Sequence, residues 1–335
     1  MVRFLKSASL SGDLLSILQG RVGTASVGAD VKKPFRFFLC GDPALVSELR
    51  GLLLRGHDGD SIPLDAAATL ETIDPPRRPV ILSPEARCVI FLGRPGDLRG
   101  ANSEALTSLG LPVFGLTVDP ASEAPTGPAL PPQPRAIAEY VVPGIDLAAL
   151  RLKFFPQLVE RCKGIEVAVG RRLPALRETV SIKLTRGAAS SALKVAAASA
   201  IVDSVPIFGT IVGAVTSAGD MVAITGMQVA LMLQIGAVYG KDPDVQRVWE
   251  MLPVVGGGFG WRALARELSG FIPVAGIPIK GAIAYAGTIV VGEATTFFYE
   301  HGRHMRQEDA AVLYAETKEA ALRVAREVVA KIRRR

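Results

Sequence analysis

Cysteine, histidine and aromatic side chains are scarce in this chain, and each shortage narrows the chemistry open to it. The three cysteines, Cys40, Cys88 and Cys162, form no C-x-x-C pair. An odd number without metal-ligand spacing argues against a disulfide framework or a zinc site and points to a reducing compartment. Cys40 and Cys88 lie in apolar runs and read as buried core thiols. Aromatics make up 6% of the residues and do not interleave with the basic ones, which argues against a single-stranded nucleic-acid platform. Of the three histidines, His57 sits in a Gly/Asp turn, and His301 and His304 flank Arg303. Glu308 could complete a ligand set with that pair, but Gly302 interrupts the helix and Arg303 and Arg306 oppose a cation. The pair therefore reads as solvated or at headgroup level. No Gly-x-Ser-x-Gly elbow or H-E-x-x-H pattern occurs. A cleavable leader is not evident either, because Gly12 and Asp13 interrupt the apolar run Leu10–Leu18, so the N-terminal half is expected in the cytosol.

The chain has instead a long Gly- and Ala-rich apolar block, Gly187 to Phe298. From Val195 to Tyr239 the only ionisable groups are Asp203, Asp220 and the Tyr239 phenol, and from Phe271 to Val291 the only formal charge is Lys280. A length of 335 residues is enough for two domains with real cores. Apolar residues make up 49% and mean hydropathy is +0.32, with the excess concentrated in the block. A net charge of +6 favours anionic partners, and the sparse aromatics leave an anionic membrane rather than nucleic acid.

In chain order, 1–33 reads as a short helix over Leu10–Leu18 and then a linker. Residues 34–145 read as a small α/β domain. Its strands are Phe35–Cys40, Pro79–Leu82, Cys88–Leu92, Pro112–Val118 and Tyr140–Val142, short apolar runs set off by Pro, Gly or Arg. Asp42 followed by Pro43 marks a helix start, with Leu45, Leu49, Leu52 and Leu53 on its buried face. Residues 102–110 form a second helix, and strands alternating with helices favour a parallel sheet. Ala121–Arg135, rich in proline, is a surface loop. Residues 146–186 are a basic helical connector in which Pro156 and Pro174 should break or kink the helix. In the block, 195–215 and 221–239 could each cross a bilayer by length, hinged at Gly219-Asp220. After a polar interruption, 271–292 is a third stretch, broken by Pro273 and Pro278. Gly276, Gly281, Gly287 and Gly292 leave room for close backbone approach. Residues 305–335 make an amphipathic helix with Ala311, Tyr314, Ala315 and Leu322 on one face.

Candidate sites are few. The strand-turn-helix at 35–50 occupies the place of a phosphate-binding loop, but the turn Gly41-Asp42-Pro43-Ala44 lacks the second glycine, the lysine and the hydroxyl, and Asp42 repels phosphate. The glycine run 256–260 has no preceding strand in a βαβ unit and reads as a turn between helices. No cofactor is expected. Asp203 and Asp220 are the informative acids, since a carboxylate in an apolar segment must cap, pair or meet water. Asp220 reads either as a helix N-cap after Gly219 or as a polar contact to Lys194, Lys280 or a partner subunit.

The block also carries a family pattern. Val205-Pro206-Ile207, Asp220, Met227-Gln228, the glycine run with Arg262, Ala265-Arg266-Glu267-Leu268, Gly276, Ala282–Thr288, Gly292 and Phe298-Tyr299-Glu300 resemble the YcjF-like domain family of unknown function, over 187–302. That family often follows Era-like GTPase domains. The resemblance implies a membrane-associated helical module of unknown activity. Within the block, Asp203, Pro206, Asp220, Gln228, Arg262, Arg266 and Lys280 are the structural or interaction candidates. The resemblance also implies that 34–145 is a degenerate GTPase-like parallel sheet, in which only Gly41 and Asp119 match nucleotide positions. Leu116 and Thr117 stand where the guanine-reading Asn and Lys would be. The expectation is a non-catalytic scaffold at the cytoplasmic side of a bacterial inner membrane, contacting lipid, a membrane protein or a second copy of itself. A nucleotide-binding switch and a soluble helical oligomer are the alternatives.

Overall fold

The computed structural model describes residues 24–57, 62–74, 83–202, 212–244 and 277–333. The expected strand at Pro79–Leu82, the glycine run 256–260, and Asp203, Pro206, Arg262 and Arg266 lie outside the described residues.

The apolar runs form strands because both of their faces are buried. β1 (Arg36–Gly41), β3 (Ala86–Gly93) and β4 (Val113–Val118) join β2 (Leu70–Thr72) and β5 (Ile137–Val142) in a sheet. All five strands are parallel, in the order β2-β1-β3-β4-β5. This is the doubly wound, flavodoxin-like order, whose direction reverses between β1 and β3. On one face Phe38, Cys40, Val89, Phe91 and Val113 pack with Leu106 of a helix over Ala101–Ser108. On the other, Phe114, Tyr140 and Phe154 form an aromatic cluster with centroids 5.6–5.9 Å apart. Such pairs add about 0.5–1.5 kcal/mol each beyond their buried area.

We number the helices α1 (Thr24–Lys32), α2 (Pro43–Leu54), α3 (Leu64–Ala67), α4 (Ala101–Ser108), α5 (Leu147–Glu160) and α6 (Glu166–Arg172). α7 (Arg177–Val202), α8 (Val212–Val238), α9 (Ile277–His301) and α10 (Gln307–Arg333) follow. The sheet and α5–α6 belong to one unit, Ala29–Val180 with Val238–Gly240, while Ser181–Ala237 and Lys241–Arg335 fall in a helical unit.

Several local expectations change. Residues 24–32, expected as linker, form α1, anchored by buried Val27. The segment 146–176 is part of the α/β unit, because Leu150, Phe154, Phe155 and Leu158 of α5 are buried in its core. Pro156 lies inside α5 without ending it. The carbonyl its ring deprives of a donor is that of Leu152, on the helix's solvent face, where the side chain is 66% exposed and water can replace the lost bond. Pro174 does stand at a break, opening a 3-10 turn after α6. Pro278 is the second residue of α9 and so opens that helix instead of breaking it, since a missing N–H costs nothing in the first turn. Gly219 and Asp220 lie in the interior of α8, not at a hinge.

Candidate functional site

At the end of β1, Gly41 has φ +113°, and a Cβ there would overlap the Leu92 carbonyl. The Asp42 N–H donates to that same carbonyl oxygen at 2.9 Å. The Asp42 carboxylate then turns onto α2, where its Oδ1 accepts from Ala44 N–H at 2.8 Å and Leu45 N–H at 3.1 Å. Pro43 has no N–H, and Val46 N–H donates to the Asp42 carbonyl at 2.9 Å. Every donor that a helix N-terminus could offer a phosphate is thereby used internally. The chain's own carboxylate fills the anion position.

The neighbouring strand ends are occupied in the same way. Arg94 N–H donates to Asp97 Oδ2 at 2.7 Å, closing a turn against Gly93 at the end of β3. Asp119, at the end of β4, accepts from Ala121 N–H at 3.0 Å through Oδ1, and its own N–H donates to the Val142 carbonyl at 2.9 Å. Thr117 Oγ1 donates to Glu139 Oε1 at 2.6 Å. Gly41 and Asp119 are therefore turn-forming residues here. The carboxyl edge of an open sheet is where ligands of such folds bind, yet its acids hold backbone.

The helical unit is built on small residues. Ala192, Ala196 and Ala284 pack together with Ile224 and Met227. Gly281 lies against Leu193, and Gly292 against Thr185. Gly236 faces the Tyr299 hydroxyl, to which an added Cβ would come within 2.9 Å. Between these contacts runs a polar seam. Gln228, 5% exposed, donates through Nε2 to Thr288 Oγ1 at 3.3 Å, and that hydroxyl donates to the Ala284 carbonyl at 2.8 Å. Thr295 donates likewise to Val291 O at 2.7 Å. Small interfaces with hydroxyl and amide contacts are how helices associate in lipid, and they also serve tightly packed soluble bundles. Gln228 is thus placed in the seam. Asp220 and Lys280 lie within α8 and α9 respectively.

The C-terminal end of α9 carries a collar of rings and cations. His301 stacks on Phe297 at 4.2 Å, with Nδ1 3.1 Å from the Phe297 carbonyl oxygen. The Arg303 guanidinium lies 4.9 Å over the Phe297 ring, and His304 stacks on Phe298 at 5.1 Å. The two histidines engage different rings and do not converge. No group of three or more metal-ligating side chains occurs among the described residues. The collar was missed in sequence because its signal is the i, i+4 and i, i+6 spacing of Phe297 and Phe298 to the histidines, not the histidines themselves.

One segment among the described residues, Gly281–His301, is long and apolar enough to cross a bilayer, with 67% of its apolar window buried within the protein. The shorter apolar segment Ala223–Val238 accompanies it. On α10 the expected face is rotated. Ala310, Leu313, Tyr314 and Leu322 are half-buried, while Ala311 and Ala315 are exposed.

No protein family, characterised protein or solved structure matches the chain.

Proposed function

We propose that this chain is a non-catalytic scaffold that associates with a membrane through its helical unit and presents its α/β unit in the cytoplasm. The observation that carries the reading is the apolar helix Gly281–His301 ending in the Phe297–His304 collar. Aromatic rings with cations at the end of an apolar helix suit the interface between acyl chains and headgroups. The resemblance to the YcjF-like family and the basic segments on either side of the block support the same reading; with both flanks on the cytoplasmic side, Gly281–His301 crosses together with a second apolar segment of the block or enters as a re-entrant hairpin. In that frame the α/β unit acts as a pseudo-GTPase: its α2 N-terminus is closed by Asp42, so a nucleotide phosphate finds a carboxylate and no free donor. A soluble helical oligomer is the second reading, favoured by the burial of most of the apolar window of α9. Membrane fractionation separates the two. Retention in the membrane pellet through high salt and alkaline carbonate supports the first, and recovery in the supernatant supports the second.

A further inference from the structure

The β4–β5 connection does something unusual for a parallel crossover. Such a connection normally carries a helix, but residues 119–136 are an ordered loop. The loop first covers the outer edge of β5: Thr126 and Val141 exchange backbone hydrogen bonds at 2.9 and 3.1 Å. Gly127 then packs on the Tyr140 ring, and buried Pro132 fixes the middle of the loop. At the far end, Arg135 N–H donates to Leu111 O at 3.2 Å and Ala136 N–H to Gln133 O at 3.0 Å. Arg135 has φ +62°, the only positive φ outside glycine among the described residues. Between these pins the chain bends at Ala129 and Leu130 and lifts Leu130 into solvent at 76% exposure.

The composition of this arch selects its partner. Prolines 128, 131, 132 and 134 leave N–H donors only on Ala129, Leu130 and Gln133. Neither a strand nor a helix can be paired along it. From Pro125 to Pro134 there is no charge, so neither phosphate nor an ion pair recognises its centre. What remains are the exposed rings of Pro128 and Pro134, the half-buried ring of Pro131 and one exposed leucine. That chemistry is read by grooves lined with aromatic side chains, where Trp and Tyr rings pack on prolines and donate to their carbonyls. Because the arch is pinned at both ends, much of the ordering cost of binding is met before the partner arrives.

We propose that the 128–134 arch is a docking epitope for a protein domain with an aromatic-lined, proline-binding groove, with Leu130 inserted between its rings. This inference stands apart from the membrane reading, since the arch lies wholly on the α/β unit. The test titrates the full-length protein against a panel of purified SH3 and WW domains, following the groove resonances of each labelled domain by NMR. Saturable binding to at least one domain is expected, weakened about tenfold or more by Leu130→Asp. The paired change Pro131→Ala with Pro134→Ala should weaken it as well, while Glu123→Gln leaves it unchanged. Leu130 and Pro134 are exposed and Pro131 is half-buried, so near-UV circular dichroism is recorded for each variant and only those that keep the parent's spectrum are scored. Absence of saturable binding across the panel, or binding that survives both variants in folded protein, overturns the proposal.

Discussion

Replacing Gly292 by alanine tests the close helix packing of the helical unit. An ideal Cβ at Gly292 would overlap the Oγ1 and Cγ2 atoms of Thr185 and come within 2.8 Å of its Cβ. Thr185 is buried, so it has little room to retreat. Overpacking of this kind costs about 1–3 kcal/mol, against about 1 kcal/mol gained from removing glycine from a helix interior. The net expectation for Gly292→Ala is a loss of about 0–2 kcal/mol. Gly187 supplies the control, because it lies in α7 and a Cβ added there would meet nothing within 4 Å. Gly187→Ala should therefore stabilise by about 1 kcal/mol. A change of 1 kcal/mol moves Tm by about 2–4 °C in a unit of 150–250 residues, so thermal unfolding in mild detergent, followed by circular dichroism, resolves the two variants. Adding Thr185→Ala to Gly292→Ala should recover part of the loss, with a coupling of about 0.5–3 kcal/mol. Equal stabilisation by Gly292→Ala and Gly187→Ala would refute the packing argument.

Three further outcomes follow from the site geometry. Asp42→Ala removes the cap of α2 and should cost about 1 kcal/mol of stability in urea unfolding, with no gain in nucleotide binding by calorimetry. Burial pushes the Cys40 thiol up to about 12 and raises Cys88 as well, so neither should react with a thiol reagent at pH 8 until denaturant is added, as mass spectrometry would read. The hydrogen bonds and charge of Arg306 hold the Asp309 carboxyl below its ordinary value. The pair's contribution is therefore fully present above the ordinary carboxylate pKa and is lost as pH falls through the lowered folded value. NMR titration should show the amides of the first turn of α10 shifting in that acidic window, and Asp309→Asn should abolish the shift.

Much of the α/β unit was legible because its signals are local. Phe37–Cys40, Cys88–Leu92 and Val113–Leu116 are short runs without a charged or polar side chain, and Asp42-Pro43 is a helix start written in two residues. The absence of the phosphate-loop lysine, hydroxyl and second glycine from Gly41–Ala44 was equally legible, although sequence alone could not show that Ala44 and Leu45 commit their donors to Asp42. β2 was not read, because Leu70-Glu71-Thr72 has no apolar run and holds its edge place through pairing with Phe37–Leu39 and through Arg36–Glu71. The strand order was beyond reach for the same reason: it depends on contacts far apart in sequence. Helix breakers misled where context satisfied them, at Pro156 beside a solvent-facing carbonyl and at Pro278 in a first turn. In the helical unit, Gly281 and Gly292 were recognised as close-approach positions, while their partners Leu193 and Thr185 come from a helix that sequence periodicity could not align.

The most direct measurement is the fate of the full-length protein on alkaline carbonate extraction of membranes from cells that express it, with detergent extraction as the companion step. Retention in the pellet after carbonate and release by detergent is the predicted result. Recovery in the carbonate supernatant, as a soluble oligomer, would contradict the account.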